Sequence, residues 1–407
     1  MATQNQTVQK ILIAPDKFKG SLTSAQAAQA IRKGIEEKYS HSCSPYRPEF
    51  RIIEIADGGD GSLEVLHKRL PGSKVVGVPV HNPVGKSVAS EILLYNLPAK
   101  GEGADSCGGL CAFIEMAKVS GLEMLSKGER NPLRTSTYGM GEAIKGAIAN
   151  GAVQITLSIG GSATNDGGAG MLQALGYRFL DVAGEEIPSP ICGGDLQRVA
   201  SMAVPAAVGQ ADGGLLQGIT FKVICDVTNP LLGPQGATAV YGPQKGADAR
   251  ALKVLETGLA NYAAVAEKCL AVPQGCKEHP GAGAAGGVGY AGLAFLNAEL
   301  LPGWRFFTEI TSLEESVQWA DFVITGEGSL DSQSLSGKVV SGVLNLAAKY
   351  NKPAAVFCGV SKLTPTELGN VRCYSIASLG HPLEVCIRDA AALLQQLVNN
   401  DDVIISN

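Results

Sequence analysis

Residues 153–175, VQITLSIGGSATNDGGAGMLQAL, contain the pattern on which the fold prediction rests. The apolar run 153–159 has the length and the Val, Ile and Leu content of a buried strand, and residues 169–175 are typical of a helix. Glycines and hydroxyl-bearing residues lie between them. A strand that runs through such a loop into a helix is the repeating unit of an α/β protein with a mostly parallel sheet.

The same order recurs along the chain. Thr23 and Gln26 form a capping box, which predicts that a helix begins there and runs to residue 38. Buried strands are predicted at 11–14, 52–56, 222–227, 322–325 and 354–358, and further helices at 63–70 and 339–350. The repetition predicts a parallel sheet that helices cover on both faces.

The middle of the chain has a different pattern. Residues 78–95 alternate between apolar and polar around the turn 82–85 (Asn-Pro-Val-Gly), which predicts an antiparallel hairpin. A chain of 407 residues also exceeds the roughly 250–300 that one core usually serves. We therefore expect two α/β domains. A parallel-sheet, flavodoxin- or Rossmann-like domain (1–78 and 285–407) is interrupted by an inserted mixed α/β domain (79–284).

Composition excludes several classes of protein. The net charge is −5 and basic residues are not clustered, so nucleic acid is not an expected partner. No apolar run reaches the roughly 20 residues that span a bilayer, and residues 1–10 lack the apolar core of a signal peptide. The ten cysteines form no CxxC pair, so we expect a cytoplasmic protein with reduced thiols and no zinc site. A disulfide between Cys107 and Cys111 is the exception left open.

The loop 14–21 (APDKFKGS) joins the first strand to the first helix. Ligands of open α/β sheets bind at this edge, and free N–H groups at a helix start favour anions. Lys17, Lys19 and Ser21 are therefore candidates for binding an anion. A solvated turn with ordinary surface lysines is the alternative.

The loop 56–62 (ADGGDGS) again follows a strand and precedes a helix. Asp57 and Asp60 can converge on one small ligand, and either can serve as general base or Mg²⁺ ligand. The alternative is that Asp60 only caps the helix, but this explains neither Asp57 nor the glycines.

The loop 160–168 is the strongest candidate for binding phosphate. Backbone N–H groups that no side chain shields can form a nest for phosphate oxygens, although these glycines alone could mark turns. The candidates are Gly160, Gly161, Ser162, Thr164, Asn165 and Asp166.

Three more acids and one lysine lie near strand ends or turns. Asp226 and Glu327 suit a metal or hydroxyl ligand, with an Asx-turn as the alternative for Asp226. Asp331 follows Glu327 in the segment GEGSLD, and Lys245 lies on the turn YGPQKG, where it meets either a phosphate or solvent. The five histidines lie outside all of these loops, so acid–base chemistry falls to carboxylates or lysines.

Two segments match nucleotide-binding motifs but lack the structural context that those motifs require. The triplet 85–87 (GKS) follows a proline turn and lacks the first glycine of a P-loop. Residues 281–286 (GAGAAG) match GxGxxG, but no strand precedes them, as a dinucleotide site requires. Gly283 lies in this glycine-rich loop, which can still approach a ligand closely.

Seven segments in order resemble the bacterial-type glycerate kinase family over nearly the full length. They are 14–24 (APDKFKGSLTS), 56–62 (ADGGDGS), 158–170 (SIGGSATNDGGAG), 225–236 (CDVTNPLLGPQG), 241–247 (YGPQKGA), 281–289 (GAGAAGGVG) and 325–338 (TGEGSLDSQSLSGK). The chain departs from the family pattern at Ser329, Ser336 and Val340, and in the longer segment 100–111. These departures affect the expected details of ligand binding at the last motif, 325–338.

The resemblance implies phosphorylation of D-glycerate with ATP and Mg²⁺, in a cleft between two α/β domains. It favours the 2-phosphate product, with the 3-phosphate open, and the sequence does not exclude a homodimer. We expect Asp57 or Asp60 to be the base, and Lys17 and Lys19 to hold the carboxylate or the transferring phosphoryl group. Ser21, Asp226 and Lys245 are further substrate-binding candidates.

For the nucleotide or its metal we expect the loop 160–168, Gly283 and Glu327, with Asp57 and Asp331 as metal ligands. A dehydrogenase and a non-catalytic sensor of small acids are the rival hypotheses.

Overall fold

The computed structural model describes residues 7–41, 46–55, 58–96, 109–208, 214–270, 272–335, 339–369 and 371–400. In chain order the strands are β1 (Thr7–Ile13), β2 (Tyr46–Ile52), β3 (Lys74–His81), β4 (Ser87–Asn96), β5 (Leu110–Glu115), β6 (Ala152–Ser158), β7 (Arg178–Leu180), β8 (Ser201–Ala203), β9 (Thr220–Ile224), β10 (Glu299–Leu301), β11 (Phe322–Leu330), β12 (Ala354–Ser361) and β13 (Arg372–Ser375).

The helices include the four that the sequence pattern predicts, at 23–38, 63–70, 169–175 and 339–350. In chain order the helices are α1 (Ser24–His41), α2 (Ser62–Arg69), α3 (Met116–Val119), α4 (Tyr138–Ala149), α5 (Ala169–Leu175), α6 (Ala237–Tyr241), α7 (Ala249–Cys269), α8 (Val288–Phe295), α9 (Gly303–Thr311), α10 (Leu313–Trp319), α11 (Val339–Lys349), α12 (Pro365–Leu368), α13 (Leu383–Arg388) and α14 (Ala390–Asn399). Within the described ranges, none of them combines the length and the apolar character needed to cross a membrane.

The chain divides into two compact units. Unit 1 comprises residues 1–57 and 302–407, and unit 2 comprises residues 58–301. The predicted boundaries at 78 and 284 differ from these. The reason is strand pairing: β3 pairs with β4 along its whole length, and β10 pairs with β9, so the segments near both predicted boundaries belong to the sheet of unit 2.

Unit 1 is built on a parallel sheet. Its five strands in the described residues have the order β2-β1-β11-β12-β13, and all neighbours are parallel. Helices α1 and α14 pack on one face through Ile31 and Leu394, and α11 packs on the other through Val340. This is the flavodoxin-like strand order, whose ligand site lies at the carboxyl ends of the first and third strands, here β1 and β11.

Unit 2 is built on a mixed sheet. Its described strands have the order β3-β4-β5-β6-β9-β10; β3, β4 and β5 pair antiparallel, and β5, β6, β9 and β10 pair parallel. The core contains Met140 of α4, Met171 of α5, Tyr262 of α7 and Tyr290 of α8. The carboxyl ends of β5, β6 and β9 meet at one edge, so the loops that follow them share that edge.

The prediction of α/β architecture is confirmed, and so are two of its local signals. Thr23 and Gln26 exchange the two hydrogen bonds of a capping box at 2.9 and 3.2 Å. The hairpin β3–β4 is antiparallel as predicted.

One strand prediction fails and one strand pair was missed. The strand expected at 52–56 ends at Ile52, because β2 is an edge strand with alternating exposure and its sequence, YRPEFRI, is not an apolar run. The short antiparallel pair β7–β8 was not predicted. Cys107, one half of the disulfide left open, lies outside the described residues.

Helices α4 and α5 cross in direct backbone contact, which gives a test of the fold. A Cβ at Gly141 would lie 2.2 Å from the carbonyl oxygen of Met171. We expect Gly141→Ala to lower the free energy of unfolding by about 1 kcal/mol, since overpacking typically costs 1–3 kcal/mol and the gain in helix propensity offsets about 1 kcal/mol. Gly77→Ala, with nothing within 4 Å, is the control. Equal urea midpoints for the two variants would contradict this packing.

Candidate functional site

The loop 58–62 of unit 2 lies across the carboxyl ends of β6 and β9. A Cβ at Gly58 would lie 2.3 Å from Ile224 Cγ2, and Ser158 Oγ donates a hydrogen bond to the carbonyl oxygen of Gly58. A Cβ at Gly160 would lie 3.0 Å from the Cα of Gly59. The 58–62 and 160–168 loops, which are separate in sequence, are therefore neighbours at one sheet edge. Asp57 lies outside the described residues.

Asp60 does not cap helix α2, so the alternative interpretation of this residue is wrong. The N-cap position is Gly61, with no side-chain cap hydrogen bond, and Asp60 is exposed. The helix start is held instead by Glu115 at the end of β5. Its carboxylate accepts N–H bonds from Gly61 at 2.8 Å and from Leu63 at 3.0 Å. Asp60 is thus left facing solvent at the sheet edge.

Glu115 was missed by sequence reasoning, because it ends the apolar run LCAFIE and resembles a surface residue after a strand. It is fully buried. Burial raises the pKa of its carboxyl to about 7, although the two N–H bonds oppose the shift. A carboxyl that titrates near neutral pH therefore positions the helix that follows Asp60.

Asp166 holds the 160–168 loop from inside. Its buried carboxylate accepts hydrogen bonds from the N–H and the hydroxyl of Thr137, both at 2.8 Å, and from the N–H groups of Gly168 and Gly170, both at 3.2 Å. Burial raises the pKa of this carboxyl, and these hydrogen bonds lower it. The contacts differ from the predicted contact with phosphate and are those of a residue that shapes the loop.

Lys245 belongs to the same loop, although its motif is distant in sequence. Its Nζ donates to Ser162 Oγ at 2.8 Å and to the carbonyl oxygen of Thr164 at 2.6 Å, and the side chain is buried. Burial lowers the pKa of Lys245 to about 7, and the nearby Asp166 opposes the shift. The solvent-exposed alternative for Lys245 is therefore wrong.

The segment 120–137 forms a further wall of the loop and was also missed. The N–H of Leu122 donates to the carbonyl oxygen of Gly161 at 2.8 Å, and Thr135 Oγ1 donates to the carbonyl oxygen of Ala163 at 3.0 Å. The signal that would have found it is the hydroxyl run Thr135-Ser136-Thr137 just before α4, all three buried.

The glycine-rich stretch 281–287 packs against the 160–168 loop through its backbone. The N–H of Gly167 donates to the carbonyl oxygen of Gly286 at 2.9 Å, and a Cβ at Gly286 would lie 2.1 Å from the carbonyl oxygen of Thr164. Gly283 N–H donates to the carbonyl oxygen of Asn229, in the loop that also carries Asp226. The GxGxxG match therefore reflects close packing of three loops.

Unit 1 has its own cluster, at the carboxyl ends of β1 and β11. The N–H of Asp16 donates to the carbonyl oxygen of Gly326 at 2.8 Å, and a Cβ at Gly328 would lie 3.0 Å from the N of Lys19. Lys17 and Glu327 are half-buried here, Lys19 is exposed, and Asp16 is a buried carboxylate that sequence reasoning missed.

The other two candidates of unit 1 lie in the same loops. Ser21 Oγ donates to the carbonyl oxygen of Phe18 at 3.0 Å. Asp331 follows β11, with Lys362 Nζ 4.0 Å from its carboxylate. The predicted residues of unit 1 thus gather at the strand ends where this sheet order binds ligands.

The 160–168 loop has polar atoms suited to a polar ligand. Thr164 and Asn165 are fully buried, and among the described residues Thr164 Oγ1 and Asn165 Oδ1 have no hydrogen-bond partner. Such buried groups normally find a partner. The described part of the chain has no cluster of three or more His, Cys, Asp or Glu side chains that could hold a metal. Mg²⁺ at phosphates usually takes only one or two protein carboxylates, so single acids such as Asp331 suit it.

The pKa of Glu115 predicts how stability depends on pH. The unfolded carboxyl titrates near 4.5 and the folded one near 7, so the folded protein binds more protons between these values and loses stability as pH rises. We expect Glu115→Gln to remove a decline on the order of 3 kcal/mol between pH 5 and 8, at about 1.4 kcal/mol per pKa unit. Urea titrations at a series of pH values measure it.

The control for this prediction is Glu123→Gln. The Glu123 side chain is 90% exposed, so this variant should keep the wild-type dependence on pH. Parallel pH profiles for the wild type and Glu115→Gln would show that Glu115 does not titrate in this range.

Known proteins resemble this chain over most of its length. The model of the glycerate kinase family matches residues 11–403. The glycerate kinase of Halalkalibacterium halodurans is 39% identical over 97% of this chain and 98% of its own length. The glycerate 2-kinase of Escherichia coli K12 is 42% identical over 86% of this chain and 85% of its own. A crystal structure from Salmonella typhimurium LT2, described as a glycerate kinase 2, matches with a TM-score of 0.74 at 37% identity, covering 96% of both chains. The chain therefore belongs to the glycerate kinase family.

Proposed function

We propose that this protein transfers the γ-phosphoryl group of ATP to D-glycerate, giving phosphoglycerate and ADP. The observation that carries the proposal is the contact between the 58–62 and 160–168 loops of unit 2. It brings the backbone that carries the exposed Asp60 against a glycine- and hydroxyl-rich loop suited to phosphate. Phosphoryl transfer requires mainly positioning and neutralisation of charge. Relatives named glycerate kinase support the choice of substrate.

On the nucleotide side, we assign the phosphates to the backbone of Gly160 and Gly161 and to the side chains of Ser162 and Thr164. Asn165 is held by Thr238, whose Oγ1 accepts from Asn165 Nδ2 at 3.1 Å. Asp166 and Lys245 act through the loop as positioning residues, because their polar atoms already bond to it. Gly283 is assigned to the nucleotide because its loop can approach a ligand closely. Glu327 of unit 1 is also assigned to nucleotide binding.

On the glycerate side, Asp60 or Asp57 accepts the proton of the attacking hydroxyl. Lys17 and Lys19 bind the carboxylate or the transferring phosphoryl group, and Ser21 and Asp226 are further contacts. The negative aspartates and the positive lysines suit these roles. The base must accept a proton, whereas the carboxylate and the phosphoryl group are anions that bind to cations.

Mg²⁺ is proposed as the companion of ATP. Asp331 and Asp57 are the carboxylates that would hold it, together with phosphate oxygens. When bound, the ion neutralises charge on the phosphates. A cytoplasmic location and a homodimer remain predictions from the sequence.

The 2-hydroxyl is the favoured acceptor. The support for this choice is the 42% identity to the glycerate 2-kinase of Escherichia coli. Phosphorylation of the 3-hydroxyl is the alternative, and product chemistry decides between them.

Asp60→Asn tests the base. We expect kcat to fall by about 10²–10⁴, the usual contribution of a general base, with folding unchanged because the side chain is exposed. Glu64→Gln is the matched control: it removes one carboxylate four residues further along the chain, in α2, and should change kcat little. ADP release measures both. Near-wild-type kcat in Asp60→Asn would leave Asp57 as the remaining candidate base, and the same result for Asp57→Asn would end the assignment.

The position of phosphorylation is tested by coupling the reaction to enolase without a mutase. Enolase accepts 2-phosphoglycerate, so immediate formation of phosphoenolpyruvate is expected. Adding phosphoglycerate mutase should then change nothing. A signal that appears only after the mutase is added would assign the 3-phosphate, and no ADP at all would contradict the proposed function.

A further inference from the structure

Two cysteines of unit 1 lie against each other, outside the candidate site loops. Cys358 lies on β12 and Cys373 on β13, and their sulfur atoms are 3.8 Å apart, close enough for a hydrogen bond. Cys358 is buried, whereas Cys373 is partly exposed on β13, the edge strand of the sheet. Cys373 is therefore the more exposed member of the pair.

This pair lies one strand away from Glu327. Cys358 is the cross-strand partner of Glu327 on β11, so their side chains project from the same face of the sheet. Cys373 belongs to the same face, since both cysteines pack with Val340 and Val356 under α11. The two sulfurs and the Glu327 carboxyl thus form a row across β13, β12 and β11.

The contact between the sulfurs also affects their reactivity. The hydrogen bond from the Cys358 thiol lowers the pKa of Cys373, and the same contact together with burial raises the pKa of Cys358. The thiolate is the reactive form of cysteine, so the more exposed member is the better nucleophile.

We propose that Cys373 and Cys358 form a site at which hydroperoxides oxidise this protein. The Cys373 thiolate attacks the peroxide; the O–O bond breaks, an S–O bond forms, and the alkoxide or hydroxide leaves and takes a proton from water. Two electrons pass from sulfur to the peroxide. The Cys358 thiol then displaces the hydroxyl of the Cys373 sulfenic acid, so that a disulfide forms and water is released.

Formation of the disulfide between Cys358 and Cys373 moves β12, the strand that pairs with β11 at Glu327. The sulfurs must close from 3.8 Å to about 2.05 Å, which draws β12 and β13 together at Cys358. The next residue of β12, Gly359, lies in close backbone contact with β11, since a Cβ there would lie 2.4 Å from the carbonyl oxygen of Gly328. A shift of β12 therefore reaches Gly328 and Glu327.

The effect on catalysis rests on the proposed function, in which Glu327 belongs to the nucleotide side. We expect oxidation to raise the KM for ATP by about fivefold or more, the lower end of typical coupling between sites, and dithiothreitol to reverse it.

The chemical test does not need activity. The full-length protein is treated with hydrogen peroxide, blocked with an alkylating reagent and digested with trypsin. Cys358 then lies in peptide 350–362 and Cys373 in peptide 373–388, which also contains Cys386. We expect a disulfide between the two peptides, with fragment spectra assigning the bond to Cys373. Its absence while other thiols are oxidised, or a bond to Cys386, would overturn the proposal.

Single variants separate the steps. Cys373→Ser should abolish the disulfide, and Cys358→Ser should leave a sulfenic acid at Cys373 that dimedone traps. Cys269→Ser removes an exposed thiol of unit 2 and should leave the disulfide unchanged. If Cys358→Ser shows no sulfenic acid at Cys373, the proposed first step is wrong. A protein that forms the disulfide but never phosphorylates glycerate would retain the thiol site and lose the proposed function.

Discussion

At the carboxyl edge of the unit 2 sheet, loops that are far apart in sequence touch through their backbones. A Cβ at Gly286 would lie 2.1 Å from the carbonyl oxygen of Thr164, and one at Gly160 would lie 3.0 Å from the Cα of Gly59. A side chain at Gly286 would force the two loops apart, and one at Gly160 would require the backbone at Gly59 to shift by a few tenths of an ångström. The close contact at Gly286 therefore requires glycine, and these contacts determine which backbone groups share the edge. A phosphate site made of backbone N–H groups depends on such an arrangement, because intervening side chains would screen those groups.

The glycine-rich 160–168 loop is stabilised by hydrogen bonds to two buried ionisable side chains. Asp166 accepts four hydrogen bonds and Lys245 donates two, and all of them hold the 160–168 loop or the segment that precedes α4. Buried ionisable groups are tolerated only when they are hydrogen-bonded or paired, and removal of one partner commonly costs 3–5 kcal/mol. Both residues are better explained as supports for the loop than as groups that contact a ligand. In the proposed function, this leaves the glycines, Ser162 and Thr164 as the candidates for contact with a phosphate.

The sequence was sufficient for the α/β class, the capping box at Thr23, the β3–β4 hairpin and the loops in which the candidates lie. These features depend on local pattern, which one segment contains by itself. The roles within the loops were not predictable in the same way. Whether Asp166 points inward depends on contacts with Thr137, 29 residues away, and whether Lys245 reaches Ser162 depends on a contact between residues 83 apart. Glu115 was missed for the same reason, since its partners lie 52 and 54 residues earlier in the chain.

The carboxylates near the 160–168 loop are one reason to propose Mg²⁺ as a partner of ATP. In unit 2, Asp60 and Asp226 lie in loops at the same sheet edge as the 160–168 loop, and Lys245 is buried with a pKa near 7 and bonded to Ser162 and Thr164. A polyphosphate near such carboxylates is repelled unless a cation compensates. In the proposed reaction Lys17 and Lys19 bind glycerate or the transferring group. The negative charge of ATP supports the proposal of a divalent ion, and acids at strand ends suit an oxygen-binding metal.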